Sequence, residues 1–266
     1  MRELFTTILA PNASIMTGDG TNTIVLGGGI EGATVIDPGS EDQAHLEAII
    51  RAGESRGGIR RVLITHGHPD HQDGAEALCR MLNVYVYAFS RIGAPCTDEE
   101  LRDGMIIPAG NDTLRTLHTP GHRFDHLCFL LEKERILFAG DLLAGSGTVV
   151  IAPPEGDMLD YLRSLERLQS LDLKEIVPAH GPRITDPQER LAMYIQHRLQ
   201  REQQILATLC LQPAGCNLMF IVQQIYRDVD PQLHPVAAQS VTAHLLKLER
   251  EGRVKHDHND HWRPLS

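Results

Sequence analysis

At 266 residues, with 42% hydrophobic and 23% charged side chains, the chain has the composition of a globular protein with one large core and room for a small appendage. Its net charge of -10 argues against general polyanion binding, and no run of about 18 apolar residues marks a membrane span. The charge is uneven: residues 1–180 hold 15 Lys+Arg against 26 Asp+Glu, and residues 181–266 hold 10 against 9, so a different texture begins after about residue 180. Five cysteines with no C-x-x-C pair fit free thiols in a reducing compartment. No secretory leader pattern opens the chain, and the cytoplasm is the expected location.

Residues 1–40 read as strands and turns, with Thr23–Gly27 and Ala33–Asp37 as β-rich runs on either side of a glycine-dense turn that lacks nucleotide-loop spacing. Helical periodicity follows over Gln43–Ser55, then a buried-strand run over Arg61–Thr65, then a helix over Ala75–Leu82. Further strands are expected at Val84–Ala88, Thr113–His118, Leu127–Leu131 and Arg135–Asp141, the last two paired as a hairpin. An amphipathic helix follows over Met158–Leu171 and a short strand at Glu175–Pro178. From Asp186 a long helix runs towards Leu211. Helices over Asn217–Arg227 and Pro235–Glu251 follow, then extended pieces at Arg253–Asp257 and His261–Pro264. The order predicts an α/β sandwich over 1–185, a connecting helix over 186–212 and a winged-helix-like module over 213–266.

Chemistry concentrates in Thr65–Gly74, T-H-G-H-P-D-H-Q-D-G. In an extended loop His66 and His68 point the same way, and Pro69 then turns the chain so that Asp70 and His71 face an adjacent position. Imidazole nitrogen and carboxylate oxygen are zinc ligands, and packing has no use for these side chains at such density. His122 in T-P-G-H, Asp141 in A-G-D and His180 in P-A-H-G each stand just past an expected strand, beside a glycine or proline that permits a tight turn. Ligands at strand ends converge on one edge of a sandwich.

This set of seven resembles the metallo-β-lactamase superfamily, over nearly the whole chain. The resemblance implies a four-layer αββα sandwich and two divalent ions. His66, His68 and His122 would hold one ion, Asp70, His71 and His180 the other, and Asp141 would bridge them. Zinc is the expected metal, with manganese and iron as alternatives. The bridging aspartate, and the lack of a cysteine near any ligand motif, set the chain beside the glyoxalase II and RNase Z branches and away from antibiotic-degrading enzymes. Asp19–Thr23, Gly140–Thr148, His197–Ile205 and Leu245–Val254 look like the β-lactamase-like protein 2 group, whose relatives include a single-strand-specific endoribonuclease and polyketide-pathway thioesterases.

Two such ions share a hydroxide at neutral pH and polarise the scissile bond, so hydrolysis is the expected reaction, with Asp70 also orienting the nucleophile. Oxygen-reducing relatives carry an acidic residue where His68 stands, which points away from redox chemistry. Asn22, Ser146, Thr148, His197 and Arg198 fall in segments that the resemblance places at the site mouth; they either contact substrate or serve as caps and helix-surface contacts. His126 is expected to orient a ligand. The tail His256–His261 decorates the exposed wing. The first functional reading is an ester or thioester hydrolase acting on a small organic acid. The alternatives are an endoribonuclease gripping single-stranded RNA, and a non-catalytic nucleic-acid-binding module. The low aromatic content and acidic catalytic part favour the first.

Overall fold

The computed structural model describes residues 4–265. They form two compact units: the described residues up to Thr119 with Asp125–Thr148 and Leu171–Gln188, and then Pro120–Phe124 with Val149–Ser170 and the chain from Glu189 onward.

In the first unit a six-stranded sheet is built in chain order from β1 (Phe5–Leu9), β2 (Asn22–Gly27), β3 (Ala33–Ile36), β4 (Ile59–Leu63), β5 (Tyr85–Ala88) and β6 (Glu99–Glu100). The first three strands are antiparallel, and β3 to β6 run parallel. Parallel neighbours need crossovers, supplied by α1 (Gln43–Glu54) between β3 and β4, and by α2 (Pro69–Gln72) and α3 (Ala75–Leu82) between β4 and β5. Asp42 caps α1 by accepting from the His45 amide at 3.0 Å, and Asn83 closes α3 in the left-handed region (φ 53°). The second sheet comprises β7 (Ile106–Ala109), β8 (Asp112–His118), β9 (Leu127–Leu131), β10 (Ile136–Phe138) and β11 (Glu175–Val177), in the order β11-β10-β9-β8-β7. The expected β9–β10 hairpin is there, with β10 and β11 parallel.

Strand alternation sorts the two cores. Ile24, Leu26, Ile36 and Leu63 pack with Leu127, Phe129, Phe138 and Val177 between the sheets. Their chain neighbours Val25, Val35, Val62 and Ile64 face Leu46 and Ile49 of α1 and Leu78 of α3. Burying each such side chain contributes about 1.5–3 kcal/mol, enough to pin register and hence the strand ends that carry the site.

The second unit contains α4 (Met158–Gln169), α5 (Pro187–Cys210, entering from the first unit), α6 (Leu218–Ile225), α7 (His234–Arg250) and the hairpin β12 (Val254–His256) and β13 (Trp262–Pro264). Ile205 and Leu209, Ile221 and Val222, Val241 and Leu245, with Val254 and Trp262, form its core. That core joins three of the four helices, α5, α6 and α7, to the two-stranded hairpin, the elements of a winged-helix-like fold. On the wing His256 pairs with Asp260 at 2.9 Å and stacks on Trp262.

Candidate metal centre

The Thr65–Gly74 segment leaves the end of β4 with its backbone tightly constrained. An added Cβ on Gly67 would fall 1.8 Å from the Gly93 carbonyl oxygen, so only glycine fits between the two histidines. The Gly67 amide donates to Asp125 Oδ2 at 3.0 Å, and Gln72 Nε2 donates to the Gly67 carbonyl at 2.6 Å. His68 is extended, Pro69 opens α2, and that single turn presents Asp70 and His71.

Within the first unit these side chains gather in two groups. His66 Nε2 lies 2.9 Å from His68 Nδ1, and Asp141 brings a carboxylate oxygen to within 4.8 Å of a ring nitrogen of each. Asp70, His71 and His180 form the second group within the same limit. Asp141 Oδ1 reaches it as well, 3.5 Å from His71 Nε2 and 3.2 Å from His180 Nε2. His122 belongs to the second unit, where it is buried with Nδ1 2.9 Å from the Val150 carbonyl oxygen.

Each ring is aimed by its other nitrogen. His71 Nδ1 lies 2.8 Å from Asp37 Oδ2, and His180 Nδ1 3.3 Å from the Gly20 carbonyl, which turns both Nε2 atoms towards the carboxylates. The Asp141 amide donates to His126 Nε2 at 3.1 Å, and His126 Nδ1 contacts Thr119 Oγ1 at 2.9 Å, so His126 holds the loop that carries Asp141. Gly140 makes that turn at φ +48°; a Cβ there would meet His126 Nε2 at 2.7 Å.

Burial alone would raise the Asp141 carboxyl; the His71 charge and contacts from His180 and His71 overcome it and hold the group well below the usual carboxylate range. Asp70 is lowered in the same way, against burial, by His180 and His71. Burial pulls His180 down, but Asp141 and Asp70 push it up to about 9. His71 is raised by Asp141 and Asp37 despite complete burial. Although close to carboxylates, His71 Nε2 and His180 Nε2 are buried and make no hydrogen bond. Buried ring nitrogens without a hydrogen bond, converging with carboxylates on two adjacent points, suit divalent cations that accept nitrogen and oxygen donors.

Residues 16–180 match the family model described as metallo-beta-lactamase superfamily. The chain belongs to the metallo-β-lactamase superfamily. Residues 218–262 match a beta-lactamase associated winged helix domain. A beta-lactamase-like protein 2 homolog of Drosophila melanogaster is 35% identical over 271 residues, covering 93% of this chain and 88% of that protein. An atrochrysone carboxyl ACP thioesterase of Aspergillus fumigatus is 34% identical over 206 residues, covering 76% of this chain and 64% of that protein. Among solved structures, a metallo-beta-lactamase family protein of Thermus thermophilus superposes with a TM-score of 0.81 at 21% identity, covering 98% of this chain and 99% of its own, a likeness of fold. The chain is a metal-dependent hydrolase of this superfamily, and among its described residues no helix is long and apolar enough to cross a membrane.

The residues expected at the mouth divide. Asn22 donates through Nδ2 to the Pro178 and Gly181 carbonyls at 3.1 and 3.0 Å, clamping the turn that carries His180. Ser146 and Thr148 are exposed in the loop after Asp141. His197 and Arg198 lie on α5 in the second unit, with Arg198 buried against the Val149 carbonyl. Sequence reasoning passed over Asp37 and Thr21, whose hydroxyl donates to the Asp70 carbonyl at 2.9 Å. Asp37 carries the same signal as the expected ligands, an acid at a strand end before Pro-Gly.

Proposed function

We propose that the chain hydrolyses an ester or thioester of a small organic acid at a dinuclear centre, most favourably zinc. His66, His68 and His122 would hold one ion and Asp70, His71 and His180 the other, with Asp141 between them. The observation that carries this is the position of Asp141, whose carboxylate is close to His71 and His180 while grouped with His66 and His68. Bound there, a pair of divalent ions supplies water activation at neutral pH and polarisation of the scissile carbonyl.

The chain's own residues prepare that chemistry. Asp37 accepts the Nδ1–H of His71 and the Gly20 carbonyl that of His180, so each Nε2 would be the nitrogen that gives up its proton to a bound ion. Asp70, its carboxyl lowered, stays ionised at neutral pH and orients the attacking water. Of the first-unit histidines at the centre, His66, His68, His71 and His180 would serve as ligands, and His126 holds the Asp141 amide. A thiolate, whose conjugate acid has a pKa of about 8.5, departs without help from a general acid, which suits such a site.

The thioesterase named among the relatives supports the same bond class. Charge in the second unit also favours it over RNA. Lys247 and Arg253 bind Glu202 at 2.7 and 2.9 Å, and Arg250 binds Asp157 at 2.6 Å, so these cations face carboxylates instead of a phosphate backbone. The test is an assay of metal-quantified protein against acyl thioesters, phosphodiesters and single-stranded RNA. Thioester turnover that falls by about 100-fold or more in Asp70→Ala is expected. RNA cleavage lost in Asp70→Ala, with no thioester turnover, would overturn the proposal.

A further inference from the structure

His122 is the one proposed ligand whose local frame is built within the second unit. Its Nδ1 is held by the Val150 carbonyl at 2.9 Å, and Val150 lies in irregular backbone with no strand or helix to fix it. A carbonyl there is only as steady as its own peptide plane and the planes beside it.

Those planes are pinned from the C-terminal helices. The Val150 carbonyl and the Ile151 amide belong to one planar unit, and the Ile151 amide donates to Ser240 Oγ of α7 at 3.1 Å in a buried contact. The preceding plane ends in the Val149 carbonyl, which accepts from Arg198 Nη2 of α5 at 2.6 Å. Arg198 is 2% exposed and lies over the Tyr161 ring at 5.2 Å. Gly121, directly before His122, packs so closely on α4 that a Cβ would fall 2.2 Å from the Tyr161 Cα, and its carbonyl accepts from the Asp157 amide at 2.8 Å. Arg250 of α7 holds the Asp157 side chain at 2.6 Å.

We infer that Arg198 and Ser240 are positioning residues that aim the His122 imidazole through the Val149–Ile151 backbone, making one proposed metal position depend on the C-terminal helices. This rests on the reading of His122 as a ligand. It also gives Arg198 a role away from substrate.

The test titrates full-length, chelator-stripped protein with cobalt(II) against a chromophoric competitor, reading ion stoichiometry, the two affinities and the visible spectrum. Ser240→Ala and Arg198→Lys should still bind two ions, one of them weakened about 10–100-fold with an altered spectrum, and Ser240→Thr should restore it. His122→Ala should bind one ion. If Arg198→Lys does not fold, the Ser240 pair decides alone. Wild-type affinities at both positions in Ser240→Ala, together with a lowered unfolding temperature of its metal-free form, would show a merely structural contact and overturn the inference. Two ions held with unchanged affinity in His122→Ala would overturn the ligand reading and this inference with it.

Discussion

Asp37 Oδ2 lies 2.8 Å from His71 Nδ1 and accepts the Thr65 hydroxyl at 2.7 Å, while Oδ1 accepts the Thr65 amide at 2.8 Å. One buried carboxylate, held at φ +50°, thus joins the end of β4 to the helix turn that carries Asp70 and His71. It fixes which nitrogen of His71 bears the proton.

Replacing Asp37 by Asn should release that choice. An amide nitrogen set against His71 Nδ1 favours the other tautomer, with the proton on Nε2, where an ion must bind. Affinity for one ion should fall about 10–100-fold while the other is retained, as read by metal analysis after dialysis against a weak chelator.

Metal-free protein should lose stability as the solution becomes alkaline. The His180 pKa is raised from 6.5 to about 9 in the folded chain. A raised value contributes stability that is fully present below 6.5 and lost as pH rises through about 9. Thermal unfolding of stripped protein should therefore move to lower temperature across that window, and loaded protein should not follow it. Loading at neutral pH should release protons, seen in calorimetry as a heat that depends on the buffer's ionisation enthalpy.

Gly140→Ala should damage fold and site together. The new Cβ would meet His126 Nε2 at 2.7 Å and Thr65 Cβ at 2.8 Å, at a residue with φ +48°. Overpacking and left-handed backbone together should cost about 2–5 kcal/mol in denaturant unfolding. Metal content should fall too, because His126 can no longer hold the Asp141 amide.

The second unit should loosen in acid. Burial, with the neighbouring Arg198, Arg201 and His244, depresses His197 from 6.5 to about 4, so its contribution is present above 6.5 and lost as pH falls towards 4. Glu202 is lowered from 4.5 to about 2, since His244 and Lys247 outweigh the effect of burial, and it adds a second loss below 4.5. The chain's single tryptophan, Trp262, is buried in this unit's core and reports on it alone. Its fluorescence-detected stability should drop between pH 6.5 and 4, and His197→Gln should flatten that slope.

Most of the proposed ligands are marked in the sequence because each follows an apolar run and stands beside a glycine or proline, so strand end and turn announce it together. The helices were legible for the same periodic reason, and the terminal module from its three helices and hairpin. Asp37 escaped because a lone Asp-Pro-Gly reads as an ordinary turn, and its partner His71 is 34 residues away. Strand β7 escaped because Pro108 cannot donate to a ladder, which is tolerated since β7 is an edge strand. Strand β6 is only Glu99–Glu100, without an apolar face. Nothing along the chain links Val149 to Arg198 or Ile151 to Ser240, since those contacts exist only after the helices pack.

The Asn22 clamp has a consequence for motion. Its amide donates to the Ala179 carbonyl at 2.7 Å, and the Ala179 amide donates to the Gly140 carbonyl at 3.0 Å, so one row of bonds runs from β2 in the first sheet to the loops of His180 and Asp141 beyond the second. Neither sheet can swing open without breaking that seam, and His180 and Asp141 therefore travel as one rigid edge. The amide protons of Asn22 and Ala179 should exchange with solvent only when the sheets themselves part.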